Sequence, residues 1–235
     1  MKSKIKFHSI FYRYILFIVL LPIMLLYSIS NTTAIDITFF DYTLIINKEW
    51  LKYIAIAISI ISVGIFSFVN WKFYICKEGI YLRKIDLFVP WNDIVAVSHI
   101  WINECGRAGG ANRFYYNRKT LVIYREKYKP ICIYNSSLFA LYLAKLYNPE
   151  IKTNIISSTV ATTFNLILNG LVFYVLWFKH LSNIKFDIFT VWVVMYAIKS
   201  LILPLLMVKC QNKLYGAYLS HDTVYKRNPS NVIHI

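Results

Sequence analysis

The chain has 235 residues, of which 58% are hydrophobic and 16% are charged, and its formal net charge is +15. Such an apolar composition excludes an ordinary soluble domain of this length. A basic chain can bind nucleic acid. Here, however, the Lys and Arg residues are spread over three separate hydrophilic segments, which favours a membrane-topology role for the charge and argues against a nucleic-acid partner.

Four apolar runs are long enough to cross a hydrocarbon core of about 30 Å as helices of about 20 residues. They predict an N-terminal transmembrane hairpin at 1–70, with spans at about 10–30 and 52–70, and a C-terminal hairpin at 151–208, with spans at about 156–178 and 186–208. A signal peptide cleaved near Ala34 is the alternative for the first run. Cleavage would leave an odd number of spans and would upset the charge balance.

The distribution of charge predicts the orientation of these spans. Lys2, Lys4 and Lys6 precede the first span, and 13 Lys or Arg residues against 6 acidic residues lie between the second and third spans. The loops within the two hairpins carry far fewer basic residues. Because cytoplasmic segments carry the excess of Lys and Arg, we expect both termini and the central segment to be cytoplasmic.

The first loop, inside the N-terminal hairpin, contains an aromatic and β-branched run at 36–46 without a basic residue. This composition predicts either a short strand or a segment that lies at the membrane interface.

The central stretch at 71–150 is polar, basic and patterned like a series of strands. Runs at 73–76 and 80–83 flank Lys77-Glu78-Gly79, which predicts a hairpin. Further strands are predicted at 88–97, 120–124 and 131–134, followed by a helix at 137–146 with Asn135 or Ser136 as its N-cap. Antiparallel strands with one C-terminal helix predict a small β-barrel or sandwich capped by that helix.

A family resemblance rests on the sequence Lys-Glu-Gly-Ile-Tyr-Leu at 77–82, followed by Val-Pro-Trp-Asn-Asp-Ile at 89–94, paired strands and a helix. This pattern resembles bacterial pleckstrin-homology-like (PH-like) domains of the YcxB-like class, in which the domain follows a transmembrane hairpin. The second hairpin of this chain departs from that pattern. The resemblance implies an intracellular binding or regulatory module and supplies no catalytic residue.

These features together predict a membrane α-helical fold of four transmembrane helices in two hairpins, located in the bacterial inner membrane. A cytoplasmic PH-like β-barrel or sandwich is inserted at 71–150, and a cytoplasmic tail follows at 209–235. The residue types at Tyr218–Arg227 repeat the order found at Tyr74–Arg83. We therefore expect the tail to contain a partial copy of the domain's first β-hairpin, although any strand pair that follows a span has a similar pattern.

No catalytic constellation is evident in the sequence. The five histidines and four cysteines do not have the spacing of a metal site or a catalytic triad. The glycine-rich segment at 104–110 lacks the Gly-Lys-Ser/Thr ending of a phosphate-binding loop. We therefore predict a protein that is not an enzyme and has no metal or cofactor.

Basic and aromatic residues alternate in the connection that follows the glycine-rich segment. Basic side chains beside aromatic rings suit contact with an anionic membrane leaflet or with a protein partner, and a solvated loop is the alternative. The candidate contact residues are Arg107, Arg113, Phe114, Tyr115, Tyr116, Arg118 and Lys119.

Lys199 lies within the fourth apolar run, where a charged side chain usually faces the interior of the bundle. Asn165 and Asn169 are four residues apart on the third run and share one helix face. Asn side chains can hydrogen-bond across membrane helices, so we expect Lys199 to meet Asn165 or a neighbour. This contact would either hold helices together or serve an ion path or an embedded partner.

The favoured function is a non-enzymatic cytoplasmic binding or regulatory module, with the lipid bilayer and a protein as its partners. The alternative is an immunity protein that protects the inner membrane from a pore-forming or depolarising toxin. Small, basic, multi-pass chains without catalytic residues suit that task, because blocking a pore requires contacts between helices. A transporter is disfavoured because four spans leave little room for a substrate site and no acidic residue accompanies Lys199 in the interior of a span.

Overall fold

The computed structural model describes residues 4–10, 20–25, 27–28, 34–39, 42–107, 113–178, 185–207 and 233–235. The chain divides into two compact units. Unit 1 comprises Met1–Ile10, Asn70–Asn165 and Val193–Ile235, and unit 2 comprises Phe11–Val69 and Leu166–Trp192.

Most strands of the chain fall in one central run that is flanked by helices. In chain order they are β1 (Ile5–His8), β2 (Ala34–Phe39), β3 (Tyr42–Asn47), α1 (Lys48–Val69), β4 (Trp71–Cys76), β5 (Gly79–Leu82), β6 (Leu87–Pro90), β7 (Ile94–Arg107), β8 (Arg113–Arg125), β9 (Ile131–Tyr134), α2 (Phe139–Tyr147), β10 (Lys152–Thr153), α3 (Ile155–Trp177), α4 (Phe186–Ala197) and β11 (Ile233–His234).

The first sheet of unit 1 is antiparallel and has the strand order β1-β4-β5-β6. Its hairpin between β4 and β5 turns at Lys77-Glu78, as the sequence predicts. Gly79, just after this turn, permits the close approach of β6, because a Cβ atom there would lie 2.2 Å from the Val89 carbonyl oxygen. Alternate residues such as Phe73 and Ile80 are fully buried, as expected for strands with one face on a core.

The second sheet of unit 1 has the order β10-β7-β8-β9-β11. Strands β7 and β8 form a long antiparallel pair that extends from Ile94↔Arg125 to Arg107↔Arg113. The two edge strands are short and parallel to their neighbours: β10 pairs with β7, and β11 pairs with β9.

One hydrophobic core joins the two sheets of unit 1 to helix α2. Leu82 of the first sheet, Leu121 of the second sheet and Leu141 of α2 are all fully buried within it. Phe7 near one end of the chain and Ile235 at the other end belong to the same core. Burial of these apolar side chains is the main favourable contribution to the stability of unit 1.

In unit 2, β2 and β3 form a two-stranded hairpin that leads into α1. The Asn47 side chain accepts a hydrogen bond from the Glu49 backbone N–H at 3.0 Å, which caps the start of α1. Tyr42 and Ile45 of β3 are strongly exposed. The predicted alternatives for residues 36–46 were a strand or an interfacial segment, and the structure has strands there.

Three described helical stretches are long and apolar enough to cross a membrane: Glu49–Phe66, Ile155–Trp177 and Phe186–Met207. They agree within a few residues with three of the four predicted spans. The third stretch contains a π-helical segment, Ile198–Ile202, after α4. Most of the predicted span at 10–30 lies outside the described residues, although residues 20–25 and 27–28 are helical.

The predicted strand at 88–97 is interrupted in the structure. Strand β6 ends at Pro90, a 3-10 turn covers Trp91–Asp93, and β7 begins at Ile94. Trp91 is buried in this turn, and its indole N–H donates a hydrogen bond to the Cys76 carbonyl at 3.2 Å. The buried tryptophan therefore lies at a corner where the chain passes from the first sheet to the second.

The predicted N-cap of the helix is also wrong. Helix α2 begins at Phe139, whose N–H donates to the Ser137 hydroxyl at 3.3 Å. Asn135 instead has a left-handed backbone (φ 55°), and the Ser136 hydroxyl donates to the Ile133 carbonyl at 2.8 Å. Both residues are used in the turn that follows β9.

The predicted connection around 107–119 is mostly regular strand. Strand β7 continues to Arg107 and β8 begins at Arg113, so only residues 108–112 of this stretch lie outside the described part. Three strands from outside the predicted 71–150 range also join unit 1, namely β1, β10 and β11. The predicted repeat at Tyr218–Arg227 lies outside the described residues.

Candidate functional site

The outer side of the first sheet carries a row of residues that runs across all four strands. Lys6 pairs with Tyr74, Tyr74 with Tyr81, and Tyr81 with Phe88. Their neighbours along each strand face the core, and successive side chains of a strand point to opposite faces. The row therefore lies on the side of the sheet that faces away from the core.

Three aromatic rings cluster on this outer side. The Tyr74 and Tyr81 rings stack with centroids 4.9 Å apart and an interplanar angle of 22°. The Trp71 ring lies 6.0 Å from Tyr74 and 6.2 Å from Tyr81. Aromatic pairs at these separations are mutually stabilising, so the three rings form a preassembled apolar patch.

Three exposed cations lie over these rings. The Lys4 ammonium is 5.0 Å from the Tyr74 centroid, the Lys6 ammonium is 5.2 Å from the Trp71 centroid, and the Arg83 guanidinium is 4.9 Å from the Trp71 centroid. Within the described part of the chain, none of the three forms an ion pair with a carboxylate. We call this surface the aromatic–basic face: Lys4, Lys6, Trp71, Tyr74, Tyr81 and Arg83.

One carboxylate adjoins the aromatic–basic face. Asp86 accepts a hydrogen bond from the Tyr81 hydroxyl at 2.5 Å, and this bond raises the pKa of Tyr81. The carboxylate is therefore directed at the phenol and leaves the three cations unneutralised. Chemically, the face offers positive charge above an apolar surface, which suits an anionic group attached to an apolar body.

The structure separates the two described residues of the predicted basic–aromatic contact. The Arg118 guanidinium lies 4.5 Å from the Tyr134 ring centroid, and the Lys119 ammonium lies 5.3 Å from the Trp101 ring centroid. As neighbours on β8, Arg118 and Lys119 fall on opposite faces of the sheet. The side chains of the other five lie outside the described part: Arg107, Arg113, Phe114, Tyr115 and Tyr116.

A second basic group adjoins Arg118. The Lys72 ammonium donates a hydrogen bond to the Tyr134 carbonyl at 2.9 Å. Burial lowers the pKa of Lys72, and the positive charges of Lys84 and Arg118 lower it further. Positive charge thus extends from the first sheet to the second, because β4 carries Lys72 and β8 carries Arg118.

The structure gives only some of the contacts of the residues predicted to interact within the membrane. The Lys199 ammonium lies 4.7 Å from the Tyr196 ring centroid, within the π-helical part of its span. Asn165 is buried, with 8% of its surface exposed, and Asn169 makes a further interaction. The pairing of Lys199 with Asn165 stays a prediction.

A buried polar junction joins the second sheet to helix α3. The Asn154 side chain accepts a hydrogen bond from the His99 backbone N–H and donates one to the His99 carbonyl, both at 2.8 Å. The Ser158 hydroxyl also donates to the His99 carbonyl. Asn154 therefore pairs with β7 as a neighbouring strand would, and it fixes the start of α3 against the sheet.

His99 itself is fully buried at this junction. Its imidazole Nε2–H donates to the Ser136 carbonyl at 3.2 Å, since a carbonyl oxygen can only accept. Burial lowers the pKa of His99 to about 4, and the nearby Lys119 charge acts in the same direction. The imidazole is therefore neutral at physiological pH and serves as a structural hydrogen-bond donor.

Unit 2 contains a buried lysine close to the start of α1. The Lys52 ammonium donates to the Tyr27 hydroxyl at 3.0 Å and lies 2.5 Å from a Glu49 carboxylate oxygen. It also lies 4.7 Å from the Trp177 ring centroid. Residues from three helical segments of unit 2 thus meet at one cation.

Metal and thiol chemistry receive little support from the described side chains. No group of three or more His, Cys, Asp or Glu residues among them is placed to hold a metal ion. Cys76 and Cys132 are free but buried, and burial raises the pKa of Cys132 to about 12. That thiol is therefore a packing residue and not a nucleophile.

The aromatic–basic face was missed from the sequence for an identifiable reason. Lys4 and Lys6 were interpreted only as charges that set membrane orientation. Their alternation with Ile5 and Phe7 is the two-residue period of a strand. This pattern could have predicted β1, but it could not reveal that β1 pairs with β4, more than 60 residues away.

Comparisons with known proteins do not place the chain in a family: no family model, no curated protein and no solved structure matches it.

Proposed function

We propose that this chain is a four-span, multi-pass protein of the bacterial inner membrane that displays a PH-like, non-enzymatic binding or regulatory module to the cytoplasm. The module corresponds to the two sheets and helix α2 of unit 1. The lipid bilayer and a protein partner are its proposed contacts, and no cofactor is required.

The observation that carries this proposal is the single core shared by distant parts of the chain. Phe7, the strands β4 to β9, and Ile235 bury their apolar side chains together. Segments that share a core must lie on the same side of a membrane. The chain therefore has to cross an even number of times between β1 and β4, and again between β10 and β11.

This parity supports the four-span arrangement. Helix α1 supplies one membrane-length segment between β1 and β4, so a second crossing is needed upstream, where residues 20–25 and 27–28 are helical. The other two membrane-length segments lie between β10 and β11. The excess of Lys and Arg in unit 1 favours the cytoplasm as its side.

Sidedness can be tested by labelling single cysteines in a variant whose four natural cysteines are replaced by alanine. Lys127→Cys lies in the exposed turn between β8 and β9, and Thr43→Cys is exposed on β3. In intact cells, a membrane-impermeant maleimide should label position 43 and not position 127. In permeabilised cells, the maleimide should label both positions. Labelling of position 127 from outside would refute the proposed orientation.

Partner docking can be tested by neutralising the described basic residues of β8. We expect Arg118→Gln/Lys119→Gln to recover less of a co-purifying protein from membranes than the native chain does. Lys127→Gln/Lys129→Gln, in the adjacent turn, removes the same charge and serves as the control. Equal recovery from the two double variants would exclude this surface as the docking site.

Lys199 favours one alternative, an immunity protein against a pore-forming or depolarising toxin. Its ammonium lies within an apolar helix and has the Tyr196 ring as its contact. A half-buried cation of this kind suits an acidic group on a membrane-embedded partner. Under this alternative, Lys199→Leu should abolish survival of toxin-exposed cells while the protein remains in the membrane. Unchanged survival would contradict it.

A further inference from the structure

We propose that the aromatic–basic face binds the headgroups of acidic phospholipids in the leaflet that borders unit 1. This inference rests on the proposed function, because it names a ligand of the same module. It differs from the sequence prediction, which placed membrane contact on β7 and β8 instead of on β1, β4 and β5.

Chain connectivity brings one end of this face close to membrane-length segments. Trp71, the first residue of β4, follows Val69, the last residue of α1, by two positions. Two residues of extended chain span at most about 7 Å. His8 of β1 pairs with Trp71 and lies just before the predicted first span at 10–30. The Trp71 end of the face is therefore its membrane-proximal end.

The charges at this end are available to an anionic ligand. The Lys6 ammonium and the Arg83 guanidinium both lie over the Trp71 ring, at 5.2 and 4.9 Å from its centroid. Both side chains are exposed, and neither has a carboxylate partner within the described residues. A phosphate between them would gain two charge-assisted contacts without displacing an existing ion pair.

The aromatic rings favour a lipid over a free anion. Trp and Tyr are the side chains that concentrate at the membrane–water interface, where an amphipathic ring contacts both headgroups and the acyl boundary. Trp71, Tyr74 and Tyr81 form one contiguous cluster. A small inorganic anion would use the cations alone, whereas a phospholipid also uses the rings.

The test is a titration of the purified full-length chain in zwitterionic detergent with phosphatidylglycerol, following the thermal unfolding midpoint. A ligand that binds only the folded state raises this midpoint according to its affinity. Phosphatidylcholine is the zwitterionic comparison. Inorganic phosphate and glycerol phosphate test the anion without acyl chains, and a polyglutamate peptide tests an acidic protein segment.

We expect phosphatidylglycerol to raise the midpoint and the other four additives to have little effect at matched concentration. Lys6→Gln/Arg83→Gln should weaken the apparent affinity about 25-fold, since each cation near an anionic lipid surface contributes about fivefold. The matched control, Lys77→Gln/Lys127→Gln, removes two exposed charges from distal turns and should change it less than twofold. Lys4→Gln, which leaves the Trp71 contacts intact, should weaken it about fivefold.

Three results would overturn the inference: equal effects of the two double variants, an equal response to phosphatidylcholine, or stronger binding of glycerol phosphate or polyglutamate. Should Lys6→Gln/Arg83→Gln fail to fold, an unchanged affinity in Lys4→Gln would still refute it. The assay uses purified protein and does not depend on sidedness. A failed titration with the expected cysteine labelling therefore rejects the lipid site alone.

Discussion

At the scale of single residues, the absence of a side chain at Gly79 allows β6 to pair closely with β5. A Cβ atom at this position would lie 2.2 Å from the Val89 carbonyl oxygen and 2.9 Å from the Pro90 Cα. Both are backbone atoms, so relief requires a shift of β6 relative to β5. A side chain at position 79 therefore cannot be accommodated without that shift. The turn sequence alone would indicate only a preference for the backbone conformation of glycine.

We predict that Gly79→Ala lowers the stability of the protein by about 1–3 kcal/mol, the usual cost of overpacking in a well-packed core. The measurement is thermal unfolding of the purified chain in detergent. Gly64→Ala in α1 is the control, since a Cβ atom there meets nothing within 4 Å. Equal midpoints for the two variants would show that β6 is not held against Gly79.

His99 gives the protein a defined response to acid. Its pKa is about 4 in the folded state, against 6.5 for an unperturbed histidine. The unfolded chain therefore binds a proton between these values and the folded chain does not. Stability contributed by the neutral imidazole is complete above about pH 6.5 and is lost as the pH falls toward 4.

We predict that lowering the pH from 7 to 5 costs the native chain about 2 kcal/mol more than it costs His99→Gln. The glutamine amide can still donate to the Ser136 carbonyl but cannot titrate. Unfolding midpoints of both proteins across this pH range provide the measurement. Parallel pH profiles of the two proteins would show that protonation of His99 does not cause the loss of stability in acid.

At the scale of secondary-structure elements, local patterns predicted what local contacts determine. The β4–β5 hairpin, the strands β8 and β9, the helix after them and three apolar helices all have clear patterns in the sequence. The two-residue strands β10 and β11 do not, and β1 has only a four-residue alternation that does not indicate its partner. Their pairing partners lie more than 50 residues away, so tertiary contacts and not local propensity determine that they form.

The candidate site could not be assembled from the sequence for the same reason. Lys6 and Arg83 come to the same Trp71 ring only because β1 pairs with β4. The sequence instead indicated a basic and aromatic run along β8. Consecutive residues of a strand point to opposite faces, and Arg118 and Lys119 accordingly contact different rings.

The buried polar junction between β7 and the start of α3 can be tested directly by mutation. Asn154→Leu removes two hydrogen bonds to the His99 backbone. The buried His99 N–H is left unsatisfied, whereas the His99 carbonyl keeps its bond from the Ser158 hydroxyl. We predict a loss of about 1–3 kcal/mol in unfolding free energy, the usual cost of one unsatisfied buried group.

Ser157→Ala is the control for Asn154→Leu. Ser157 is next to the junction and bonds only to the Asn154 carbonyl at 3.1 Å, so its loss should cost less than about 1 kcal/mol. Chemical denaturation in detergent measures the unfolding free energy of both variants. Similar losses in the two variants would argue against a special role for the side chain of Asn154.

At the scale of the whole molecule, both described ends of the chain complete unit 1. Strand β1 forms one edge of the first sheet, and β11 forms one edge of the second. Ile235 is buried in the core, and its backbone N–H donates to the Cys132 carbonyl at 2.9 Å. Ends that appear dispensable in the sequence are therefore integral parts of the fold.

We predict that Ile235→Ala destabilises the protein by about 2–4 kcal/mol, the usual range for a buried isoleucine. Ile45→Ala makes the same chemical change at a side chain that is 69% exposed, and it should cost less than about 0.5 kcal/mol. The measurement is the thermal unfolding of the two variants in detergent. A neutral Ile235→Ala would show that β11 is not part of the cooperative unit.

The position of Ile235 also sets an order of events during biosynthesis. Synthesis proceeds from the N-terminus at about 5–20 residues per second, and Ile235 lies after all three described membrane-length segments. The second sheet therefore gains its edge strand β11 after the three described membrane-length helices have been made. A chain terminated before β11 would carry its hydrophobic helices but lack the strand that pairs with Ile131 and Cys132, exposing apolar surface that proteases and chaperones recognise.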